Sequence, residues 1–245
     1  MTTHHSHKIT IMSLALVVFI DVLTIGLVFP LFAALFNDPH GILPIDTTIA
    51  TRNLFYTLII SLPMFALMFG SPVLGEFSDR WGRRIILLIS LFGVFLSCLL
   101  SIISFYISSV LLLFISRILV ALMDGSQAIA QATIVDISQP QDKVKNLSLI
   151  TLASTTGFIV GPIVGGILSD HQLCSWFGYE TPFWFAAVLA LANFILLKHT
   201  FVETRVLEHK QSLSWSAVFL RLFNGFIDKR YYCLSIGFIA AQFAW

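Results

Sequence analysis

The sequence predicts an all-α polytopic membrane protein with six spanning helices and the beginning of a seventh. Of its 245 residues, 57% are hydrophobic and only 11% are charged, whereas an ordinary soluble domain carries about 25% charged residues. The apolar residues also fall into runs close to the roughly 20 residues that a helix needs to cross a hydrocarbon core. The net charge of +1 gives no reason to expect a nucleic-acid partner.

Six apolar runs are predicted to span the membrane. They are Ile9 to Phe36, Leu54 to Leu74, Ile85 to Tyr106, Val110 to Ile134, Leu147 to Leu168 and Phe183 to Leu197. The first run is too long for the core of a secretory signal and has no small-residue cleavage site, so it is retained as a membrane helix. A seventh run begins near Tyr231 and reaches Trp245 after about fifteen residues, which is fewer than a span requires.

Lysines and arginines in the short loops predict which side of the protein faces the cytoplasm. Twelve of these cations fall on the side that includes the N terminus, against Arg52 alone on the other side, where Asp38, Asp46, Asp170 and Glu180 also lie. We therefore expect the N terminus to be cytoplasmic. The twelve are Lys8, Arg80, Arg83, Arg84, Lys143, Lys145, Lys198, Arg205, Lys210, Arg221, Lys229 and Arg230.

The spans divide the chain into three predicted segments. Residues 1–198 form a six-helix bundle, in which two sets of three helices start on opposite sides, as inverted repeats do. Residues 199–230 form a cytoplasmic linker, in which Trp215, Phe219 and Phe226 favour one face of a short interfacial helix. Residues 231–245 are then the start of the seventh helix.

The loop between the second and third predicted helices carries a dense motif of glycine and charge. Its glycines suit a short reversal between antiparallel helices, and its arginines anchor the loop in the cytoplasm. A loop that merely sets topology would explain the charges but not the pattern, which resembles the G-x-x-x-D-R-x-G-R-R signature of the major facilitator superfamily. The matching residues, which are candidates for gating, are Gly75, Asp79, Arg80, Gly82, Arg83 and Arg84.

Two further segments resemble the drug–proton antiporters of this superfamily. Asp21 to Pro30 is similar to the first-helix motif of the tetracycline and multidrug antiporters. Residues 157–166 are similar to their fifth-helix motif, which is associated with exporters rather than importers. The resemblance implies one six-helix half of a major facilitator fold. Complete members of the family place substrate in a central cavity between two such halves and move protons against it.

The fifth-helix motif has a physical interpretation of its own. Gly157, Gly161 and Gly165 recur every four residues, so a neighbouring helix can approach this face closely. Pro162 removes a backbone donor and allows a bend. Tight packing alone would explain the glycines, and it is compatible with a seal that opposes leak. We take these four residues and Gly166 as candidate gating residues.

A fourth-helix segment, Arg117 to Gly125, resembles the family motif that contains a membrane-embedded arginine. It departs from the motif at two positions, because Ala121 stands where glycine is usual and Asp124 stands where a small residue is usual. The departure supplies an additional ionisable group inside the membrane.

Asp21, Arg117 and Asp124 are charged residues within predicted spans. Such a residue costs about 2.5–3.5 kcal/mol on insertion scales, which makes each a candidate for the proton and substrate pathway. Arg117, Asp124 and Gln131 are spaced by seven, and with Gln127 they predict one polar stripe on the helix. The family resemblance implies that the first and fourth helices both line the cavity, so Asp21 would face this stripe. The alternative is an Arg117–carboxylate pair that only neutralises itself. One arginine cannot fully neutralise two carboxylates, which favours a proton carrier.

At the cytoplasmic ends of the helices, Asp79, Arg83 and Asp136 can be considered together. The resemblance implies that Asp136 pairs with the arginine of the loop signature and that the cluster switches to lock one face. The alternative is a static surface pair worth less than about 1 kcal/mol.

Three functions remain open from the sequence. They are export of a small amphipathic compound in exchange for protons, facilitated transport or import of a metabolite, and a truncated half that does not transport. The fifth-helix motif and the ionisable residues favour export. No nucleophile elbow, phosphate-binding glycine loop or metal-ligand spacing is present, so we expect no enzyme activity, no metal and no cofactor.

The expected partners are membrane lipid, a small-molecule substrate and protons, together with either a missing C-terminal half or a second chain. The expected location is a bacterial inner membrane, with the N terminus in the cytoplasm.

Overall fold

The computed structural model describes residues 2–38, 41–201 and 203. Throughout these ranges the regular secondary structure is helical, and the helices are α1 Thr2–Asn37, α2 Ile49–Trp81, α3 Arg83–Tyr106, α4 Val110–Met123, α5 Ser126–Ile137, α6 Lys143–Leu168 and α7 Thr181–Thr200. Within the described ranges, six spans are long and apolar enough to cross a membrane, and α4 and α5 together make the fourth. The predicted fold class is confirmed. The predictions for the linker after residue 203 and for the seventh helix lie outside the described residues.

The helices extend beyond the apolar runs from which they were predicted. The second run was predicted as Leu54 to Leu74, whereas α2 covers Ile49–Trp81. Its first turn is capped by Thr48, whose hydroxyl oxygen accepts a hydrogen bond from the Thr51 amide at 3.3 Å. Gly75 therefore lies inside α2 instead of in the reversal. The α2–α3 junction is Gly82 alone, at φ 100°, a left-handed conformation that favours glycine.

The fourth span is broken, which corrects the prediction of one continuous helix from Val110 to Ile134. The break is at Asp124 and Gly125, where the Gly125 amide donates to the Met123 carbonyl at 3.0 Å. Asp124 has φ −80° and ψ 84°, close to an inverse γ-turn. A side chain at Gly125 would lie 2.8 Å from the Leu74 side chain. Glycine thus both weakens the helix here and permits α2 to pack against the break.

Close packing joins α1 to α6 along the glycine face predicted for the fifth span. A Cβ atom on Gly161 would lie 2.7 Å from the Gly26 Cα atom, and one on Gly165 would collide with the Leu27 carbonyl oxygen. Gly166 points away from this contact, because a Cβ atom there would meet nothing within 4 Å. Gly157, Gly161 and Gly165 are therefore the residues that set the distance between the helices.

The spans place their connecting segments on two opposite faces of the bundle. The face we call cationic holds the α2–α3 junction and the end of α7, where Arg84 Nη2 donates to the Lys198 carbonyl at 2.6 Å. The face we call acidic holds the end of α1 and the start of α7, where the Tyr179 hydroxyl donates to Asp38 Oδ2 at 2.6 Å. The sequence prediction assigns the cationic face to the cytoplasm.

Arg52 has a structural role on the acidic face that was not predicted from its charge. Its side chain is only 7% exposed. The guanidinium donates to the carbonyl oxygens of Phe36 at 3.1 Å, Asp38 at 2.9 Å, Pro44 at 3.0 Å and Thr47 at 3.2 Å. One arginine thus satisfies four backbone acceptors, one in the last turn of α1 and three in the segment between α1 and α2.

Two apolar clusters make up the interior of the bundle, and α1 contributes to both. One cluster includes Leu14 and Val18 near the cationic face, and the other includes Leu27 and Leu31 near the acidic face. Asp21 lies on α1 between them. The fold therefore places a carboxyl group at the level where the two apolar clusters meet.

Candidate functional site

Asp21 contacts the broken fourth span directly. Its side chain is 4% exposed, and its Oδ2 atom accepts a hydrogen bond from the hydroxyl of Ser126, which is 1% exposed. Ser126 is the first residue of α5. The carboxyl group of Asp21 is thereby held by the residue at the N-terminal end of a half-helix, where the helix dipole favours negative charge. Ser126 was not predicted as a site residue from the sequence, where the Gly125-Ser126 pair was the available signal.

Asp124 lies at the break itself and is half-buried. It is the residue that ends α4, two positions before the serine that contacts Asp21. Gln127 and Gln131 are half-buried on α5. Because the helix is interrupted between α4 and α5, Arg117 and Gln131 do not lie on one continuous helix, and the polar stripe stays a prediction.

Arg117 is buried on α4, on the other side of the break. Its Nη2 atom donates to the Ser101 hydroxyl at 2.9 Å, and Ser101 in turn contacts the Ser116 hydroxyl at 2.8 Å. Its guanidinium carbon lies 5.1 Å from the ring centroid of Phe183 and 5.9 Å from that of Phe32, within the range of cation–π attraction. These contacts attach the arginine to α3, α1 and α7.

No ion pair joins Arg117 to Asp21 or Asp124 in the part of the chain that the structure describes. The self-neutralising pair considered from the sequence is therefore not formed here. In addition, the Nε atom of Arg117 is buried without a hydrogen-bond partner.

An open pocket lies beside Arg117, between α1, α2, α3 and α4, and its empty space of about 600 Å³ includes open solvent at its mouth. Most of its wall is apolar, and Arg117 is the cation among the residues that line it. The lining residues are Thr24, Ile25, Val28, Phe29, Phe32, Ile59, Ile60, Pro63, Met64, Cys98, Arg117 and Val120.

A charged cluster joins α2, α3 and α5 on the cationic face. Arg83 Nη2 lies 2.8 Å from Asp136 Oδ2 and 3.7 Å from Asp79 Oδ1. The Arg83 side chain is 5% exposed, whereas those of Asp136 and Asp79 are 42% and 51% exposed. The structure thus brings together the three residues that the sequence analysis grouped. Within the same motif, Arg80 pairs with Glu76 at 2.6 Å along α2.

Glu203 adds a contact to this cluster that the sequence analysis missed. Its two carboxylate oxygens accept hydrogen bonds from the backbone amides of Arg83 and Arg84, both at 3.1 Å. A carboxylate from the end of the bundle thus caps the first turn of α3. The positive φ favours glycine at position 82, and a Cβ atom there would lie 2.5 Å from Glu203 Oε2, so the carboxylate would have to shift.

Comparison with known proteins gives concordant results. The family model described as Major Facilitator Superfamily matches residues 12–245. The chain is 30% identical over 188 residues to the class B tetracycline resistance protein of Escherichia coli, covering 76% of this chain and 42% of that protein. It is 32% identical over 194 residues to multidrug resistance protein 1 of Bacillus subtilis, covering 77% of this chain and 44% of that protein.

Solved structures show the same fold at lower sequence identity. A human organic anion transporter aligns with a TM-score of 0.67 at 20% identity, over 86% of this chain and 52% of its own. A D-xylose–proton symporter aligns with a TM-score of 0.66 at 16% identity, over 94% of this chain and 56% of its own. The chain spans less than half the length of the two curated relatives named above.

Proposed function

Because this chain belongs to the Major Facilitator Superfamily, we propose that it forms the N-terminal half of an exporter that exchanges a small amphipathic compound for protons. It is an integral membrane protein and not an enzyme. The proposal of export is supported by the tetracycline and multidrug resistance proteins that it resembles. The chain acts together with a second six-helix half, either continuous with it or on a separate chain, in a bacterial inner membrane.

The contact between Asp21 and Ser126 is the observation that carries this proposal. Asp21 is a buried carboxyl group on α1, and its partner belongs to a half-helix that begins inside the span. The ionised form of Asp21 accepts the Ser126 hydrogen bond and is favoured by the N-terminal end of α5. The protonated form removes a charge from an apolar interior. Both protonation states thus have a physical basis, as a reversible proton carrier requires.

Asp124 gives the pathway a second carboxyl group, at the break between α4 and α5. A carboxylate here lies two residues from Ser126, so both acidic groups adjoin the start of the same half-helix. In this mechanism the proton binds at Asp21 or Asp124, both at the start of the half-helix α5, and Gln127 and Gln131 line the adjoining part of α5. Broken helices at ion and substrate sites are a recurring feature of transporters.

Alternating access requires a closed face as well as a site. In the proposed mechanism, the Arg83–Asp136 and Arg83–Asp79 contacts hold the cytoplasmic face closed. The close approach of α1 and α6 at Gly161 and Gly165 excludes water along that interface. Proton binding would change the contact between α1 and α5, while α1 remains packed on α6.

Proton release on substrate addition tests this function. The assay uses everted vesicles that contain this chain and its second half, with tetracycline as the first probe and a panel of amphipathic multidrug substrates after it. We expect each transported compound to collapse part of an imposed proton gradient. Saturable transport that leaves the proton gradient unchanged would identify a facilitator and overturn the proposal.

A further inference from the structure

Arg117 is a buried cation without a matching anion in the described part of the chain. It is 7% exposed, and its guanidinium group contacts two aromatic rings and the Ser101 hydroxyl there. Its Nε atom has no partner. A buried cation is expensive unless it is paired, and cation–π contacts compensate only part of that cost. A bound anion would therefore lower the free-energy cost of burying Arg117.

The pocket beside Arg117 shows where that anion would lie and what would be attached to it. Apart from the Arg117 guanidinium, the polar groups in its wall are the hydroxyl of Thr24 and the thiol of Cys98. The Thr24 hydroxyl already donates to the Ile20 carbonyl at 2.8 Å. The remaining wall is aliphatic or aromatic, with Phe29 and Phe32 on α1 and Met64 on α2.

We propose that Arg117 binds the anionic head of an apolar organic monoanion, such as an aromatic carboxylate or sulfonate, whose body occupies this pocket. The planar guanidinium offers paired donors to two oxygens of such a head. The apolar wall removes the body of the ligand from water. This inference rests on the proposed transport function and adds a substrate class to it.

A purely structural role for Arg117 makes a different prediction. If its contacts to Ser101, Phe32 and Phe183 serve only to hold the helices together, ligand charge has no effect on binding at the pocket. Binding of two probes that differ only in charge separates the two roles. Suitable probes are 8-anilino-1-naphthalenesulfonate, an anion, and N-phenyl-1-naphthylamine, its neutral counterpart without the sulfonate.

The experiment measures saturable fluorescence of each probe with the full chain in lipid nanodiscs, after subtraction of empty nanodiscs. We expect the sulfonate probe to bind the wild type at least about tenfold more tightly than the neutral probe. In Arg117→Gln, we expect the sulfonate probe to lose this advantage and the neutral probe to change by less than about twofold. Lys145→Gln, which removes an exposed cation outside the pocket, is the matched control and should leave both affinities unchanged.

A second variant keeps the inference testable if Arg117→Gln does not fold. Val120→Phe keeps the arginine but fills part of the pocket that Val120 lines, so both probes should lose saturable binding. Unchanged sulfonate binding in Val120→Phe would overturn the inference, as would equal loss of both probes in a folded Arg117→Gln protein.

The outcome is independent of proton coupling, because binding is measured without a gradient. Sulfonate binding that depends on Arg117, together with no proton release in vesicles, would overturn only the proposed exchange with protons. Proton-coupled export without an Arg117-dependent preference for anions would overturn only the substrate class.

Discussion

The Ser126 hydroxyl donates a hydrogen bond to the Oδ2 atom of Asp21, and this bond links α1 to the first residue of α5. Its acceptor is buried at the level where the two apolar clusters meet. Because α5 is separated from α4 by the turn at Asp124, the half-helix can shift relative to α4 more easily than a continuous span could. In the proposed mechanism, protonation of Asp21 would act on this half-helix.

Asp21→Asn should reduce substrate-induced proton release while leaving substrate binding largely intact, because asparagine keeps the size and polarity but cannot titrate. Ser126→Ala should have a different effect. It removes the donor and leaves the carboxyl group able to titrate, so release should persist with a shifted pH dependence. Both variants are measured in the same vesicle assay of proton release, alongside binding of the same substrate.

Unchanged proton release in a folded Asp21→Asn protein would remove Asp21 from the coupling role. Equal loss of release in both variants would show instead that the hydrogen bond is needed for the fold of the pathway. A thermal unfolding scan of each purified variant separates this second outcome from a defect in coupling.

Gly165→Ala should destabilise the bundle, whereas Gly166→Ala should not. A methyl group at position 165 would collide with the Leu27 carbonyl oxygen, and backbone atoms cannot rotate away as a side chain can. Overpacking of this kind typically costs about 1–3 kcal/mol. Position 166 is exposed, and a methyl group there would have nothing within 4 Å, so alanine at 166 is a matched control on the same helix.

The measurement for this pair is the melting temperature of the detergent-solubilised chain and the fraction that stays monodisperse. A Gly165→Ala protein as stable as Gly166→Ala would contradict the close packing of α1 on α6. If Gly165→Ala is stable but proton leak increases in vesicles, the glycine face acts as a seal more than as a packing contact.

The sequence predicted the six spans because each depends on a long apolar run, and such runs are local features. It did not predict the break at Gly125, since a single glycine inside an apolar helix is tolerated in many contexts. The break depends on the approach of Leu74 from α2, which is a tertiary contact. The helix that was predicted to carry the stripe from Arg117 through Asp124 is interrupted for that reason.

Candidate residues were found where charge or a glycine repeat made them conspicuous, as at Asp21, Arg83 and Gly161. The partners of these residues were harder to find. Ser126 is an ordinary residue in the sequence. Glu203 accepts a hydrogen bond from the backbone amide of Arg83, which lies 120 positions earlier in the chain. The Gly125-Ser126 pair marks a possible helix start but not its contact with Asp21, so only the folded chain could reveal either relationship.

Asp136→Asn should loosen the end of α5 more than Asp79→Asn does. Asp136 lies on α5, 2.8 Å from Arg83, whereas Asp79 lies on α2, 3.7 Å from Arg83. Loss of Asp136 therefore releases α5 from the junction, but loss of Asp79 leaves that link in place. Because both carboxylates are partly exposed, each effect should be about 1 kcal/mol or less.

Hydrogen exchange of the backbone amides near Ile134 and Ile137 measures this difference directly. Faster exchange in Asp136→Asn than in Asp79→Asn is expected at the same pH and temperature. Equal exchange in the two variants would show that the distance to Arg83 does not decide which contact holds α5.

Tyr179 provides a prediction for alkaline pH on the acidic face, outside the spans. Burial, and then its hydrogen bond to the Asp38 carboxylate, raise the pKa of Tyr179 from 10.0 to about 12. A raised pKa means that the folded chain holds this proton more tightly than the unfolded chain does. The stabilising contribution is therefore fully present below pH 10 and is lost as the pH rises from about 10 through about 12.

Wild-type stability should accordingly fall more steeply than that of Tyr179→Phe between pH 10 and pH 12. The difference in tyrosinate absorbance between the wild type and Tyr179→Phe reports the titration of Tyr179, and its midpoint should lie near pH 12. Asp38→Asn removes the carboxylate that accepts the hydrogen bond but leaves the burial, so we expect its midpoint to move only part of the way back toward 10. A wild-type midpoint at 10 would mean that the hydroxyl is solvated and that the Tyr179–Asp38 contact does not join the start of α7 to the end of α1.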